Sequence, residues 1–205
     1  MNESGQVLVS YRTLRRVVGV LGVALPVVVA LWGFMLCHCL QVLPSISDYY
    51  TLRTRDAFVG ILFTIAWFLF TYRGYEWKDD VAGNLACVFA LSVALFPNSG
   101  TTVERTVHFS SALAFFLILS YFSLFLFTKS EGVPTPEKMI RNRIYRVCGS
   151  AILLCMALIG LYYSGLKGPA PGVLQPVFWL ESVALWAFGI SWFIKGDTLF
   201  KDRVT

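Results

Sequence analysis

The chain has 205 residues, of which 57% are apolar and only 14% are charged. This composition lies outside the usual range of soluble globular domains and indicates a protein that resides in a lipid bilayer. A formal net charge of +5 could suggest nucleic-acid binding, but the basic residues flank apolar segments, where they set membrane topology, and we discount nucleic acid as a partner.

Six apolar segments follow one another along the chain, and each approaches the length of about 20 residues that a transmembrane helix needs. Their approximate bounds are residues 17–43, 57–73, 81–97, 107–128, 145–166 and 176–194. The first is far longer than the apolar part of a signal peptide, so we expect it to remain in the protein as a span. The sequence therefore predicts an all-α fold, a single integral membrane domain over 1–205 built as a bundle of six transmembrane helices.

The Lys and Arg residues are divided unequally between the two sides of this arrangement. Thirteen fall in the N-terminal segment, the second and fourth connections and the C-terminal segment, whereas the opposite side has four: Arg53, Arg55, Arg105 and Lys167. Short loops rich in basic residues remain in the cytoplasm. We therefore expect a multi-pass protein with both termini in the cytoplasm.

Two further patterns concern individual helices. Thr135-Pro136-Glu137 is typical of a helix start, with Thr as the N-cap and Pro in the first turn, so helix five is expected to begin well before its apolar segment. Span three carries a row of small residues at intervals of four: Ala82, Ala86, Ala90 and Ala94. Such rows let helices approach closely, and we expect span three to pack against another helix near the centre of the bundle.

Glu181 is the acidic residue that lies well inside an apolar segment. A charge at mid-membrane costs about 2.5 to 3.5 kcal/mol on insertion scales, so it needs a partner or an aqueous cavity. His38 is expected at a similar depth in span one, and His108 opens span four on the same side. We expect the partner of Glu181 among His38, His108, Arg53, Arg55 and the hydroxyl groups of neighbouring spans.

The loops on that side add further polar groups, so the sequence predicts an outward-facing polar pocket. Its candidate residues are His38, Asp48, Tyr50, Arg53, Arg55, Asp56, His108 and Glu181. In one interpretation Glu181 only locks helices together. In a second, the pocket binds or conducts a small solute, an ion or a lipid headgroup, with the bilayer and a homo-oligomer as the expected partners.

A third interpretation is a membrane-embedded lipid hydrolase or transferase in which Glu181, His108, His38 and Asp56 act as acid–base or metal-binding groups. The usual enzyme and cofactor motifs are absent, which favours binding over catalysis. We expect no cofactor and assign neither catalytic residues nor a metal site. Cys37 and Cys39, two residues apart on a helix, point to different faces and cannot easily share one ion.

A second polar cluster, Asp79, Asp80 and Asn84, lies on the predicted cytoplasmic side. Asp80 and Asn84 are four residues apart and share a helix face. Asp79 and Asp80 are expected to cap the start of span three, where negative charge suits the helix dipole. A functional site is the alternative interpretation of this cluster.

Several short motifs are distributed over nearly the whole chain. They are Ser45-Ile-Ser-Asp-Tyr-Tyr50, Arg55-Asp56-Ala-Phe-Val-Gly60, Tyr72-Arg-Gly-Tyr75, Gly83-Asn-Leu-Ala86, Val93-Ala-Leu-Phe-Pro97 and Trp179-Leu-Glu-Ser182. Together they resemble a widespread bacterial family of six-span integral membrane proteins with no established activity. The resemblance implies a bacterial inner-membrane location and six spans. A remoter likeness to membrane-embedded lipid hydrolases of the alkaline ceramidase type lacks their late His-x-x-x-His pair, because no histidine follows His108.

Overall fold

The structure is a computed structural model, and it describes residues 11–38, 41–74, 76–130, 132–165, 174–196 and 199–200. Within these ranges its helices are joined by loops and no strand is present, and there are six α-helices. They are α1 (Tyr11–Cys37), α2 (Arg55–Phe70), α3 (Trp77–Leu95), α4 (Thr102–Tyr121), α5 (Pro136–Ser164) and α6 (Pro176–Lys195). A short 3-10 helix, Ser47–Thr51, precedes α2, and a π-helical segment, Phe122–Leu126, extends α4. The prediction of an all-α fold is confirmed.

Four of the helices, α1, α4 with its π-helical extension, α5 and α6, are long and apolar enough to cross a membrane. The other two fall short for different reasons. α2 has 16 residues, which at 1.5 Å per residue gives about 24 Å against a hydrocarbon core of about 30 Å. α3 has 19 residues, but its first turn carries Lys78, Asp79 and Asp80. The crossing of the membrane by α2 and α3 therefore stays a prediction.

Consecutive helices run in opposite directions, so the bundle has two ends. At the first, which we call the Asp79 end, Nε of Arg16 in α1 donates a hydrogen bond of 2.9 Å to the carbonyl oxygen of Gly196 after α6. At the second, the Glu181 end, the backbone N–H of Ile46 after α1 donates to Glu181 near the start of α6. The start of α1 and the end of α6 thus lie at the same end.

The alanine row of α3 lies in the interior, as predicted. Ala82, Ala86, Ala90 and Ala94 are all buried, and α3 packs between α2 and α4. A second close approach, between α1 and α6, was not predicted. A β-carbon added at Gly19 would lie 2.6 Å from the backbone nitrogen of Phe193, so only glycine fits between these helices.

The first span ends earlier than predicted. α1 ends at Cys37, and His38 leaves the helix with a φ of 52°. The predicted boundary at residue 43 was wrong because Val42 and Leu43, although apolar, belong to a loop and pack against the core from there. His38 is therefore exposed beyond the helix and does not lie inside it at the depth of Glu181.

The start of helix five agrees with its sequence pattern. α5 begins at Pro136, and the hydroxyl group of Thr135 accepts a hydrogen bond of 3.1 Å from the backbone N–H of Lys138. This bond satisfies one of the N–H groups that a helix start leaves without a partner. The prediction that helix five begins before its apolar segment is confirmed.

Aromatic rings fill the interior near the Asp79 end. Trp192 of α6 lies 5.2 Å from Tyr72 and from Phe127, and 5.5 Å from Phe122, measured between ring centroids. All four side chains are at most 2% exposed. Their edge-to-face packing contributes stability beyond that of their buried area, and it closes this half of the bundle.

Candidate ligand-binding site

The loop that follows α1 folds back across the Glu181 end and is fixed there by α6. The carbonyl oxygen of Pro44 accepts a hydrogen bond of 3.0 Å from the backbone N–H of Phe178, which lies in the first turn of α6. The backbone N–H of Ile46 in turn donates to Oε2 of Glu181 at 2.7 Å. These two bonds run in opposite directions between the loop and the helix, so each element satisfies polar groups of the other.

The partner of Glu181 is therefore a backbone group, and the expected set of His38, His108, arginine and hydroxyl partners was wrong. Sequence patterns reveal side chains, but any loop residue other than proline offers the same N–H donor. The second carboxylate oxygen, Oε1, makes no hydrogen bond within the part of the chain that the structure describes.

Asp48 connects the same loop to the connection between α3 and α4. Its Oδ2 accepts a hydrogen bond from the backbone N–H of Ser45 at 2.9 Å, and its Oδ1 accepts from the side-chain amide of Asn98 at 2.6 Å. Both carboxylate oxygens are thus engaged in holding the loop. Asn98 was not among the predicted site residues, although its position after Pro97 in a loop at this end could have indicated it.

His108 has a structural role behind the loop. It is fully buried, with Nδ1 2.7 Å from the carbonyl oxygen of Phe96 and Nε2 2.9 Å from the hydroxyl group of Ser47. A carbonyl oxygen can only accept, so Nδ1 carries the hydrogen, and in the neutral ring Nε2 accepts from the Ser47 hydroxyl. Both ring nitrogens are occupied, and the imidazole joins α4, the end of α3 and the 3-10 helix.

A cavity of about 540 Å³ lies between α4, α5 and α6 at the Glu181 end. Its polar lining consists of Ser45, Asp48, Asn98, Arg105, Tyr163 and Glu181. Its apolar lining includes Phe109, Leu113 and Phe116 from α4 and Met156 and Ile159 from α5. One cavity therefore combines two carboxylates, a guanidinium group and an apolar wall.

The cavity opens sideways because α4 and α5 diverge towards the Glu181 end. Near the middle of the bundle they touch, since the Ser120 hydroxyl donates to the carbonyl oxygen of Gly149 at 2.9 Å. A β-carbon added at Gly149 would lie 2.5 Å from Cγ of Leu124, whereas one added at Gly160, about three turns further along α5, would meet nothing within 4 Å. Phe109 and Leu113 in the resulting gap are exposed.

The remaining predicted residues lie elsewhere at this end. Arg55 donates to the Tyr50 hydroxyl at 3.0 Å and places its guanidinium group 4.7 Å from the centre of that ring. Arg53, Asp56 and His38 are exposed. None of these five lines the cavity, so of the predicted pocket the structure brings together Asp48 and Glu181.

Tyr163 was missed by the sequence analysis. It lies two residues before Gly165, where α5 ends, so its position near the outer end of span five was available as a signal.

Glu104, also at this end, accepts a hydrogen bond of 2.7 Å from the backbone N–H of Thr101, and Thr101 accepts in return from the N–H of Glu104. Glu104 therefore completes a capping box at the start of α4. Of the two charged residues in that turn, Arg105 lines the cavity and Glu104 does not.

The cluster at the other end of the bundle is a helix cap with an ion pair. Asp79 is fully buried, and its Oδ2 accepts from the backbone N–H of Glu76 at 3.0 Å and from Nζ of Lys129 at 3.2 Å. Although burial lowers the pKa of Lys129, its bonds to Asp79 and Glu76 outweigh burial, and the pKa is raised. Capping by Asp79 is confirmed, while Asp80 is half-buried and Asn84 is exposed.

No protein-family model, curated protein or solved structure matches the chain. Across the described ranges, no group of three or more His, Cys, Asp or Glu side chains is arranged to hold a metal ion.

Proposed function

We propose that the chain is an integral membrane protein that binds a lipid-like ligand. The headgroup lies beside Glu181, and the apolar part occupies the gap between α4 and α5. The observation that carries this proposal is the cavity of about 540 Å³, which joins a carboxylate to an apolar wall that is open at the side. Its volume is within the range of about 300 to 1,000 Å³ that is typical of ligand pockets.

A lipid headgroup fits this cavity better than an isolated ion does. An ion held by protein oxygens needs several of them at about 2 to 2.6 Å, whereas both oxygens of Asp48 are already engaged in holding the loop. Conduction is disfavoured as well, because the buried rings around Trp192 fill the Asp79 half of the bundle. A ligand that enters sideways from the bilayer needs no continuous pore.

In the arrangement that we propose, α2 and α3 cross the membrane together with the four long apolar helices. The excess of basic residues on the segments of the Asp79 end then places that end, with both termini, in the cytoplasm. The Glu181 cavity consequently faces outward. Membership in the resembled bacterial family and a location in the inner membrane belong to the same proposal.

A lipid hydrolase or transferase built on Glu181, His108 and His38 would need the imidazole groups beside the carboxylate. His108 is instead engaged with Phe96 and Ser47, and His38 does not line the cavity. No observation favours this activity as a second candidate.

Gly160→Leu tests the proposal, because Gly160 lines the cavity and a β-carbon added there meets nothing within 4 Å, so the new side chain would occupy space in the cavity. We expect the purified variant to bind phospholipid about tenfold more weakly than the wild type when bound lipid is quantified by mass spectrometry over a range of lipid concentrations, a loss of about 1.4 kcal/mol of binding. Gly60→Leu is the matched control, since a β-carbon at Gly60 also meets nothing within 4 Å but Gly60 lies outside the cavity. Equal lipid content in all three stably folded proteins would overturn the proposal.

A further inference from the structure

Charges of opposite sign lie at two places on the cavity wall. Glu181, bonded to the loop, lies on α6, whereas Arg105 is exposed on the first turns of α4. The apolar wall formed by α4 and α5 lines the same cavity. We infer that the site recognises a zwitterionic phospholipid headgroup, whose primary ammonium group binds at Glu181 and whose phosphate group binds at Arg105. This inference rests on the proposed lipid-binding function.

The ammonium group is assigned to Glu181 because this carboxylate is incompletely paired. Oε2 accepts one backbone N–H from Ile46, and Oε1 makes no hydrogen bond within the described residues. Asp48 lines the same cavity and brings a second negative charge. A primary ammonium offers three N–H donors and a positive charge, so it can bond to Oε1 while offsetting the repulsion between the two carboxylates.

The phosphate group is assigned to Arg105. The side chain is exposed, and it has no hydrogen bond or ion pair within the described part of the chain. A guanidinium group presents a planar pair of N–H donors that suits phosphate oxygens. Arg105 stands one turn before Phe109 on α4, so a phosphate bound there would direct the acyl chains towards Phe109, Leu113 and the gap facing α5.

Other common headgroups fit this arrangement less well. An anionic phosphatidylglycerol brings no cation to Glu181 and Asp48, so its hydroxyl groups would leave the two carboxylates without a counter-charge. A phosphatidylcholine carries a positive charge, but its quaternary nitrogen has no N–H to donate to Oε1. The predicted order of affinity is therefore phosphatidylethanolamine first, phosphatidylcholine second and phosphatidylglycerol third.

The experiment compares these three lipids, with identical acyl chains, by native mass spectrometry of the full-length protein. We expect the wild type to bind phosphatidylethanolamine about tenfold more tightly than phosphatidylglycerol, which is the ratio that a difference of about 1.4 kcal/mol gives. Glu181→Gln should lose the preference for ethanolamine over choline, because its amide oxygen can still accept from Ile46 while its NH2 group replaces Oε1 and cannot accept from the ammonium. Arg105→Gln should weaken the binding of all three lipids by a similar factor, because each of them carries the phosphate group.

Arg53→Gln is the matched control, since Arg53 is an exposed arginine at the same end that does not line the cavity, and its lipid preferences should equal those of the wild type. Thermal unfolding in detergent checks that each variant folds. If Glu181→Gln does not fold, Arg105→Gln still tests the inference.

Equal binding of the three lipids, with Gly160→Leu still reducing it, would overturn the headgroup assignment and leave lipid binding intact. Absence of all lipid binding would overturn both. If water-soluble glycerophosphoethanolamine competes with an affinity equal to that of the lipid, the ligand need not come from the membrane, and that part of the inference is overturned. If the compound does not compete, the membrane origin of the ligand is supported.

Discussion

The pairing of Asp79 with Lys129 shows how a single cation maintains a buried helix start. Asp79 is fully buried, whereas the Lys129 side chain is 28% exposed. Lys129→Met leaves the carboxylate with its backbone donor from Glu76 but without its counter-charge. Because a buried charged group that loses a partner costs about 1 to 3 kcal/mol, we expect the free energy of unfolding to fall by that amount. Denaturation in mixed micelles, followed by circular dichroism, measures it.

The pH dependence of this effect follows from the raised pKa of Lys129. A cation whose pKa is raised by folding contributes its full stability below its ordinary value of 10.5 and loses it as the pH rises through the folded value. The difference between wild type and Lys129→Met should therefore be constant from neutral pH to about pH 10 and shrink above it. Lys78→Met, at an exposed position at the same end, should change little at any pH. A difference that instead grows with alkaline pH contradicts the assignment.

At the scale of elements, α3 is the helix most constrained by its neighbours. Ala90 is completely buried where α3 passes between α2 and α4, and Val88, two residues earlier, is 57% exposed. Ala90→Leu must displace atoms of the adjacent helices, and such overpacking typically costs about 1 to 3 kcal/mol. Val88→Leu should be nearly neutral. Thermal unfolding in detergent compares the two, and an Ala90→Leu variant as stable as the wild type would show that the helices can separate there without cost.

The elements that could be predicted are those whose signal lies in their own residues. The alanine row of α3 and the Thr135-Pro136 start of α5 each depend on local chemistry, and both are present as predicted. The end of α1 could not be predicted in this way. Val42 and Leu43 are apolar in a loop as they would be in a helix, and hydropathy does not distinguish the two environments.

The candidate site was predictable only in part, for the same reason. Topology correctly brought Asp48 and Glu181 to one end, because consecutive spans that are joined by short loops run in opposite directions. The contact between Glu181 and the N–H of Ile46 depends on how the loop returns to α6, and a backbone donor leaves no trace in the sequence. The role of His108 depends on Phe96 and Ser47, which are brought to it by two other elements.

At the scale of the whole molecule, the orientation of the bundle can be separated from the number of its spans. The start of α1 and the end of α6 lie at one end of the bundle whether or not the hairpin of α2 and α3 crosses the membrane. This holds because α2 and α3 run in opposite directions, so the hairpin returns the chain to the Glu181 end. Reporters fused after Thr205 and inserted in the connection 129–135 should therefore both report cytoplasm, and these test orientation alone.

The short connection between α2 and α3 decides the number of spans. In a background without the five native cysteines, Lys78→Cys should react with a membrane-impermeant maleimide only after the cells are opened, since six spans place the start of α3 in the cytoplasm with other basic residues. Arg53→Cys, exposed at the Glu181 end, should react in intact cells. If both cysteines react in intact cells, the hairpin does not cross, the bundle has four spans, and the contact between Asp79 and Lys129 is not formed in the membrane-bound protein. If only Lys78→Cys reacts there, the bundle is inverted, the cavity faces the cytoplasm, and the lipid that it binds is drawn from the inner leaflet.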